Sequence, residues 1–263
     1  MLIIGEKINT SLCGVEEAVK TRDKVFIQNL AKKQVDSGAD VLDINVGTRI
    51  HSEVKDMKWM IGIVQEVVDV PLCVDSPRPE AVEVGLAECK GKAMVNSITA
   101  EKKRMEELLP LLERFGCKII ALTMDDRGIP EDIERRYEIA DKLIGALTKA
   151  GNSLSDIYID PLVRPVSTDS SSGLIVLKSI KKIMSSFEHV HTICGLSNIS
   201  FGLPARAVLN KSFLLLAMSM GLDSAILDPL DREMMAMIRA GEVLLGKDEY
   251  CLKYLTSFRE GKF

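Results

Sequence analysis

A neutral amide stands just past an apolar run in Gly195-Leu196-Ser197-Asn198-Ile199-Ser200-Phe201-Gly202-Leu203-Pro204, and three other polar residues end apolar runs in the same way. Asp75 follows Pro71-Leu72-Cys73-Val74, Asn96 follows Ala93-Met94-Val95, and Asp160 follows Ile157-Tyr158-Ile159. Carboxylates accept hydrogen bonds, and carboxamides both donate and accept them. Together they suit a flat heterocycle rich in N–H and C=O groups. Asn198 is the first candidate for a catalytic role.

For such scattered residues to meet, the elements between them must bring their ends to one place. Short apolar runs recur along the chain with amphipathic segments between them, the pattern of a parallel sheet covered by crossover helices. The expected strands are Leu2–Ile4, Val41–Val46, Leu72–Val74, Ala93–Asn96, Ile119–Thr123, Ile157–Ile159, Thr192–Gly195 and Ala225–Asp228. Met105, Leu108, Leu109, Leu112 and Phe115 recur at helical spacing, as do Ile133, Tyr137, Ala140, Ile144 and Leu147. Pro110 falls inside the first set and is expected to kink that helix, because it lacks an amide hydrogen and its ring crowds the preceding turn.

Eight strand–helix units in 263 residues fit a single-domain (β/α)8 TIM barrel spanning residues 1–263. The alternative is a doubly wound open sheet, whose Gly-x-Gly-x-x-Gly turn after the first strand is absent; the chain reads Gly5-Glu6-Lys7-Ile8-Asn9 there. In a barrel, Asp43, Asn45, Asp75, Asn96, Asp160, Asn198 and Asp228 converge at one mouth. Asp and Asn at strand ends are also ordinary turn and cap residues. Ser76-Pro77 and Thr99 with Glu101 offer caps of their own, which frees Asp75 and Asn96 for a site. Asp160-Pro161 and Asp228-Pro229 stay open between the two roles.

Composition narrows the classes. A net charge of −4 gives no basic face for a nucleic-acid backbone. No apolar stretch of about 18 residues is present to span a membrane. The start Met1-Leu2-Ile3-Ile4-Gly5-Glu6 reads as a first strand rather than a secretory leader. Cys13, Cys73, Cys89, Cys117, Cys194 and Cys251 form no C-x-x-C pair and are expected as free thiols in a reducing cytoplasm. His189 and His191 would share one strand face, but no third ligand of matching type accompanies them, so no metal is expected.

Taken in order, Leu42-Asp43-Ile44-Asn45-Val46-Gly47, Cys73-Val74-Asp75-Ser76, Met94-Val95-Asn96-Ser97, Tyr158-Ile159-Asp160-Pro161-Leu162 and the Gly195–Gly202 segment resemble the pterin-binding barrel family. Within it the likeness is to the methyltetrahydrofolate:corrinoid protein methyltransferases and the related methylcorrinoid:tetrahydrofolate methyltransferases. It runs from Leu2 to Tyr250. Dihydropteroate synthase, the other branch, is less similar, because its Lys-containing loop and diphosphate-binding residues have no evident counterparts.

The resemblance implies a methyl group moved between N5 of tetrahydrofolate and the cobalt of a corrinoid. By position, Asp75, Asn96 and Asp160 match residues that bond the pterin edge, Asn198 the asparagine that reaches N5, and Arg206 an arginine near the folate. Asp43, Asn45, Gly195 and Ser197 are additional site candidates. Phe201 stands where some members carry a polar residue. An amine is a poor leaving group, so demethylation needs a proton at N5. Asn198 is not that acid, but its carboxamide can accept from a protonated N5 or donate to a free one, with water bringing the proton.

None of His51, His189 or His191 lies in the Asp-x-His-x-x-Gly signature of base-off corrinoid proteins, so a separate corrinoid protein is implied as partner. Residues 10–14 and 48–52 are the expected docking rim. Apolar residues on both sides of 213–220 and 234–245, with Met218, Met220, Met234, Met235 and Met237 among them, point to a homodimer, in line with the resemblance. The rival readings are a folate- or corrinoid-binding subunit without turnover and a dihydropteroate-synthase-like pterin enzyme, which would need a second pocket built from Lys and Arg.

Overall fold

The computed structural model describes residues 1–263. Its elements alternate as expected: β1 (Leu2–Asn9), α1 (Cys13–Thr21), α2 (Lys24–Asp36), β2 (Val41–Asn45), α3 (Glu53–Val64), β3 (Leu72–Asp75), α4 (Pro79–Glu88), β4 (Met94–Thr99), α5 (Lys102–Phe115), β5 (Lys118–Leu122), α6 (Ile133–Lys149), β6 (Ile157–Asp160), α7 (Ser172–Ser186), β7 (His191–Thr192), α8 (Arg206–Ser219), β8 (Ser224–Leu227), α9 (Arg232–Leu244) and α10 (Leu252–Arg259). The eight strands are parallel and lie in sequence order, with β8 returning to pair with β1 from Leu2↔Ser224 to Gly5↔Leu227. A parallel bridge between Gly195 and Ile226 joins the remaining edge, closing a (β/α)8 barrel.

The strands are apolar on both faces because both are buried. Leu42, Ile44, Val74, Val95, Ile119, Ala121, Ile157 and Ile159 point outward into the cluster shared with the helices. Ile4, Val41, Cys73, Met94, Ile120, Tyr158 and Ile193 point inward and fill the lumen. Buried parallel strands therefore read as continuous hydrophobic runs, with no polar alternation. The helices bury one stripe each: α6 opens on Asp132, whose side chain accepts from the Arg135 amide, and lays Ile139, Ala140, Leu143, Ile144 and Leu147 on the sheet.

Two strands carry bulges at the same end of the barrel. The β1–β2 register slips between Gly5 and Ile8, and the β4–β5 register between Asn96 and Ile98. Beyond each slip the chain returns an isoleucine, Ile8 or Ile98, to the outer cluster. The extra residue leaves two consecutive side chains free to face the mouth.

Several expectations change in detail. Helix α5 runs unbroken through Pro110, which sits on its exposed side, so the carbonyl that loses its amide partner is open to water. His189 lies before β7 in a left-handed turn (φ +66°), off the face that carries His191. The His191 ring instead stacks on Tyr158 with centroids 4.7 Å apart, and its Nδ1 lies 2.6 Å from the Asp223 carboxylate. Of the crowded methionines, Met218, Met234 and Met235 are core residues, Met220 is half-buried and Met237 is exposed, as are Leu216 and Leu244 beside them. All six cysteines are free, and burial lifts the Cys117 thiol to about 11. No helix is long and apolar enough to cross a membrane.

Candidate functional site

Counting alternately upward from the inner cluster places Glu6, Asp43, Asn45, Asp75, Asn96, Asp160 and Asp228 on the lumen side at the C-terminal end of the barrel. Asn45 Nδ2 donates to Asp75 Oδ2 at 2.7 Å, and Asn96 Nδ2 reaches Asp43 Oδ1 at 3.4 Å. The sequence had set these four side chains apart on three strands. The barrel makes them one hydrogen-bonded patch.

Beside this patch an open cleft is lined by Asp75, Ser76, Pro77, Asn96, Ser97, Thr99, Glu101 and Arg104. Arg104 closes its floor, donating to the carbonyls of Ser76 (2.9 Å), Pro77 (2.7 Å) and Ser97 (2.9 Å) and so tying the loops after β3 and β4 together. Arg136 does the same for the β6 loop. Its fully buried guanidinium donates to Pro161 and Leu162 carbonyls at 2.6 and 3.1 Å. Leu162 itself is left-handed (φ +63°), and its amide donates to Asp160 Oδ1 at 2.7 Å. One oxygen of Asp160 thus serves the turn, and Asp228 likewise accepts from Leu230 at 2.9 Å. Neither arginine was singled out from sequence, since both act on backbone carbonyls and belong to no local motif.

Burial governs the charges here. It pushes Asp43 well above the usual carboxylate range, with the neighbouring Asp75 adding to the rise. Asp75 is raised by burial too, against the Asn45 hydrogen bond. Asp160 rises to about 7 through burial, against the Leu162 amide and the Arg136 charge. Glu6 is raised by burial and then by Asp228. An acid with a raised folded-state pKa holds its proton more tightly folded than unfolded. Stability is then fully present below the unfolded value and falls as pH rises through the folded one. For Asp160 the window runs from about 4 to about 7. We expect about 2 kcal/mol of stability lost to this group between pH 5.5 and 8, and Asp160→Asn to remove that part of the slope. Chemical denaturation across a pH series measures it, and identical slopes in the two proteins would refute the assignment.

A second group of residues gathers across the mouth. Asn198 sits in a short 3-10 turn, Leu196–Ser200, after β7, with an exposed side chain. The turn folds back over Gly195, where any Cβ would lie 3.2 Å from Asn198 Nδ2. Arg206, the first residue of α8, braces this turn: Nη2 donates to the Ser197 carbonyl at 2.7 Å and Nε to Ser200 Oγ at 3.0 Å. Lys7 reaches Asp228 at 2.9 Å. Glu6 and Lys7 escaped notice because the expected first strand stopped at Ile4, whereas β1 continues to Asn9. Of the expected rim, residues 48–52 form a turn, but Cys13 and Gly14 already belong to α1. Leu12, Ile50 and Phe201 are exposed on these mouth loops.

Dihydropteroate synthases of Xanthomonas albilineans (with 4-aminobenzoic acid) and Stenotrophomonas maltophilia superpose with TM-scores of 0.71 and 0.70. These cover 93% of this chain and 91–92% of theirs at 18–19% identity, a likeness of fold. The methylcorrinoid:tetrahydrofolate methyltransferase of Eubacterium limosum is 40% identical over 264 aligned positions, covering 100% of this chain and 97% of that one. The methionine synthase of Mycobacterium leprae is 33% identical across 86% of this chain, which spans 20% of that longer protein. The pterin binding enzyme model matches residues 16–228, taking in every strand end described above except those of β1, so the chain belongs to the pterin-binding enzyme family.

Proposed function

We propose that the protein is a methyltransferase that moves a methyl group between N5 of tetrahydrofolate and the cobalt of a corrinoid carried by a partner protein. The observation that carries this reading is one barrel mouth combining a partly buried group of carboxyl and carboxamide side chains with the exposed Asn198 carboxamide, in a chain similar from end to end to a methylcorrinoid:tetrahydrofolate methyltransferase. Asp75, Asn96 and Asp160 would meet the amino group, ring N–H and carbonyl of the pterin. A carboxylate facing two N–H donors forms charge-assisted hydrogen bonds, the strong kind.

Asn198 then acts where charge changes. When the methyl group leaves, N5 keeps the bonding pair and takes a proton; when it arrives, N5 gives its lone pair and loses one. A carboxamide that turns its oxygen or its nitrogen toward N5 stabilises both ends of that change. The proton travels by water, which the open mouth admits. The corrinoid is a second substrate and supplies the cobalt. Exposed Leu12, Ile50 and Phe201 give its carrier an apolar contact on the rim. The six free thiols suit a reducing cytoplasm.

Mixing the protein with cob(I)alamin and methyltetrahydrofolate should produce the methylcobalamin spectrum, and methylcobalamin with tetrahydrofolate the reverse. Folate binding without either reaction would favour a subunit that binds and does not turn over. We further propose a homodimer through α8 and α9, where Leu216, Met237 and Leu244 are exposed. Light scattering at micromolar concentration should give twice the 29.0 kDa chain mass; a mass of one chain would overturn it.

A further inference from the structure

We propose that Arg206 is a positioning residue: it acts through Asn198 by fixing the peptide that carries it, and does not bind folate. This rests on the methyl-transfer reading above. The Ser197 carbonyl and the Asn198 nitrogen belong to one planar unit. A guanidinium donating to that oxygen at 2.7 Å therefore sets the plane from which the Asn198 side chain projects. Its other arm, at 3.0 Å from Ser200 Oγ, reaches the far end of the same turn. Ser200 Oγ itself points back to the Ser197 carbonyl at 3.3 Å. Arg206, Ser197 and Ser200 thus form a small hydrogen-bonded ring across the turn that carries Asn198.

The turn needs this brace. β7 itself ends at Thr192, and sheet bonding to β6 and β8 continues only through Ile193 and Cys194 to the bridge at Gly195, so the sheet does not hold the Ser197–Asn198 peptide. The other ties hold later peptides: the Phe201 amide donates to the Asn198 carbonyl at 3.2 Å, the Val166 amide to the Ile199 carbonyl at 3.0 Å, and Ser167 Oγ to the Phe201 carbonyl at 2.7 Å. None reaches the Ser197–Asn198 peptide. The Asn198 amide meets only the Gly195 carbonyl, at a long 3.4 Å. The planar fork of arginine suits two acceptors at fixed spacing, whereas the ammonium of lysine presents a single point.

Single-turnover transfer between cob(I)alamin and methyltetrahydrofolate, together with calorimetric folate affinity, tests the assignment. Arg206→Ala should lower the rate at saturating folate by about 10- to 100-fold, the scale of a misplaced catalytic group, with affinity kept within about twofold. Arg206→Lys keeps the charge, loses the fork and should show the same split; it carries the test if the alanine variant does not fold. In an Asn198→Ala background, Arg206→Ala should cost almost nothing more. Three results would overturn the inference: lowered affinity with an intact saturated rate, an undiminished effect in the Asn198→Ala background, or no effect in either variant. A wild-type protein that transfers no methyl group would overturn the reading of function and this inference with it.

Discussion

Asn198→Ala should slow single-turnover methyl transfer by about 10²-fold or more, the usual consequence of removing one preorganised polar partner of a developing charge. Folate affinity should change much less, because the groups proposed to bind the ring stand on β3, β4 and β6 and the Asn198 side chain is exposed on a turn of its own. Asn198→Asp separates the two faces of the carboxamide. A carboxylate accepts from protonated N5 but has nothing to donate to the free amine, so this variant should keep more activity at low pH than at high pH. Rates equal to wild type in Asn198→Ala would remove the residue from the mechanism and turn attention to Asp43, whose buried carboxyl holds a proton well above the usual range.

The pterin edge should show the other large effect. Asp160, Asp75 and Asn96, each changed to alanine, should weaken folate binding by about 1–3 kcal/mol, the cost of leaving a buried partner unpaired. Asp160 should also impose a pH signature. In the free protein burial raises it to about 7, and N–H donors of a pterin favour its ionised form, so binding below pH 7 must expel a proton. Affinity should therefore fall as pH drops from about 7.5 to about 5.5, and Asp160→Asn should flatten that dependence while lowering affinity throughout. Calorimetry in two buffers of different ionisation enthalpy counts the released proton. A pH-independent affinity in the wild-type protein would take Asp160 out of the pterin contact.

The barrel was legible because most of its strands begin with a short apolar run buried on both faces, and because the polar residue ending such a run has nowhere to point but the mouth. Asp43, Asn45, Asp75 and Asn96 were found for that reason, and they do form one hydrogen-bonded patch. What stayed hidden depends on contacts that no local pattern encodes. Arg104 and Arg136 lie in the first turns of α5 and α6, and only the folded loops bring carbonyl oxygens to them. Glu6 was hidden because the apolar run ends at Ile4, whereas β1 continues through a bulge to Asn9. Arg206 was placed near the folate by resemblance, whereas its two donor arms reach Ser197 and Ser200.

The bulges in β1 and β4 also bear on how such a mouth can vary. Each holds an unpaired residue between register-keeping neighbours, so the consecutive pairs Glu6–Lys7 and Asn96–Ser97 are products of chain length as much as of residue type. Loss of one residue at either place would let the ladder straighten while Ile8 or Ile98 kept its seat in the outer cluster. A one-codon deletion would thus erase a contact at the mouth and spare the core. Point substitution trims a side chain there; a change in length is what adds or withdraws a whole position from the site.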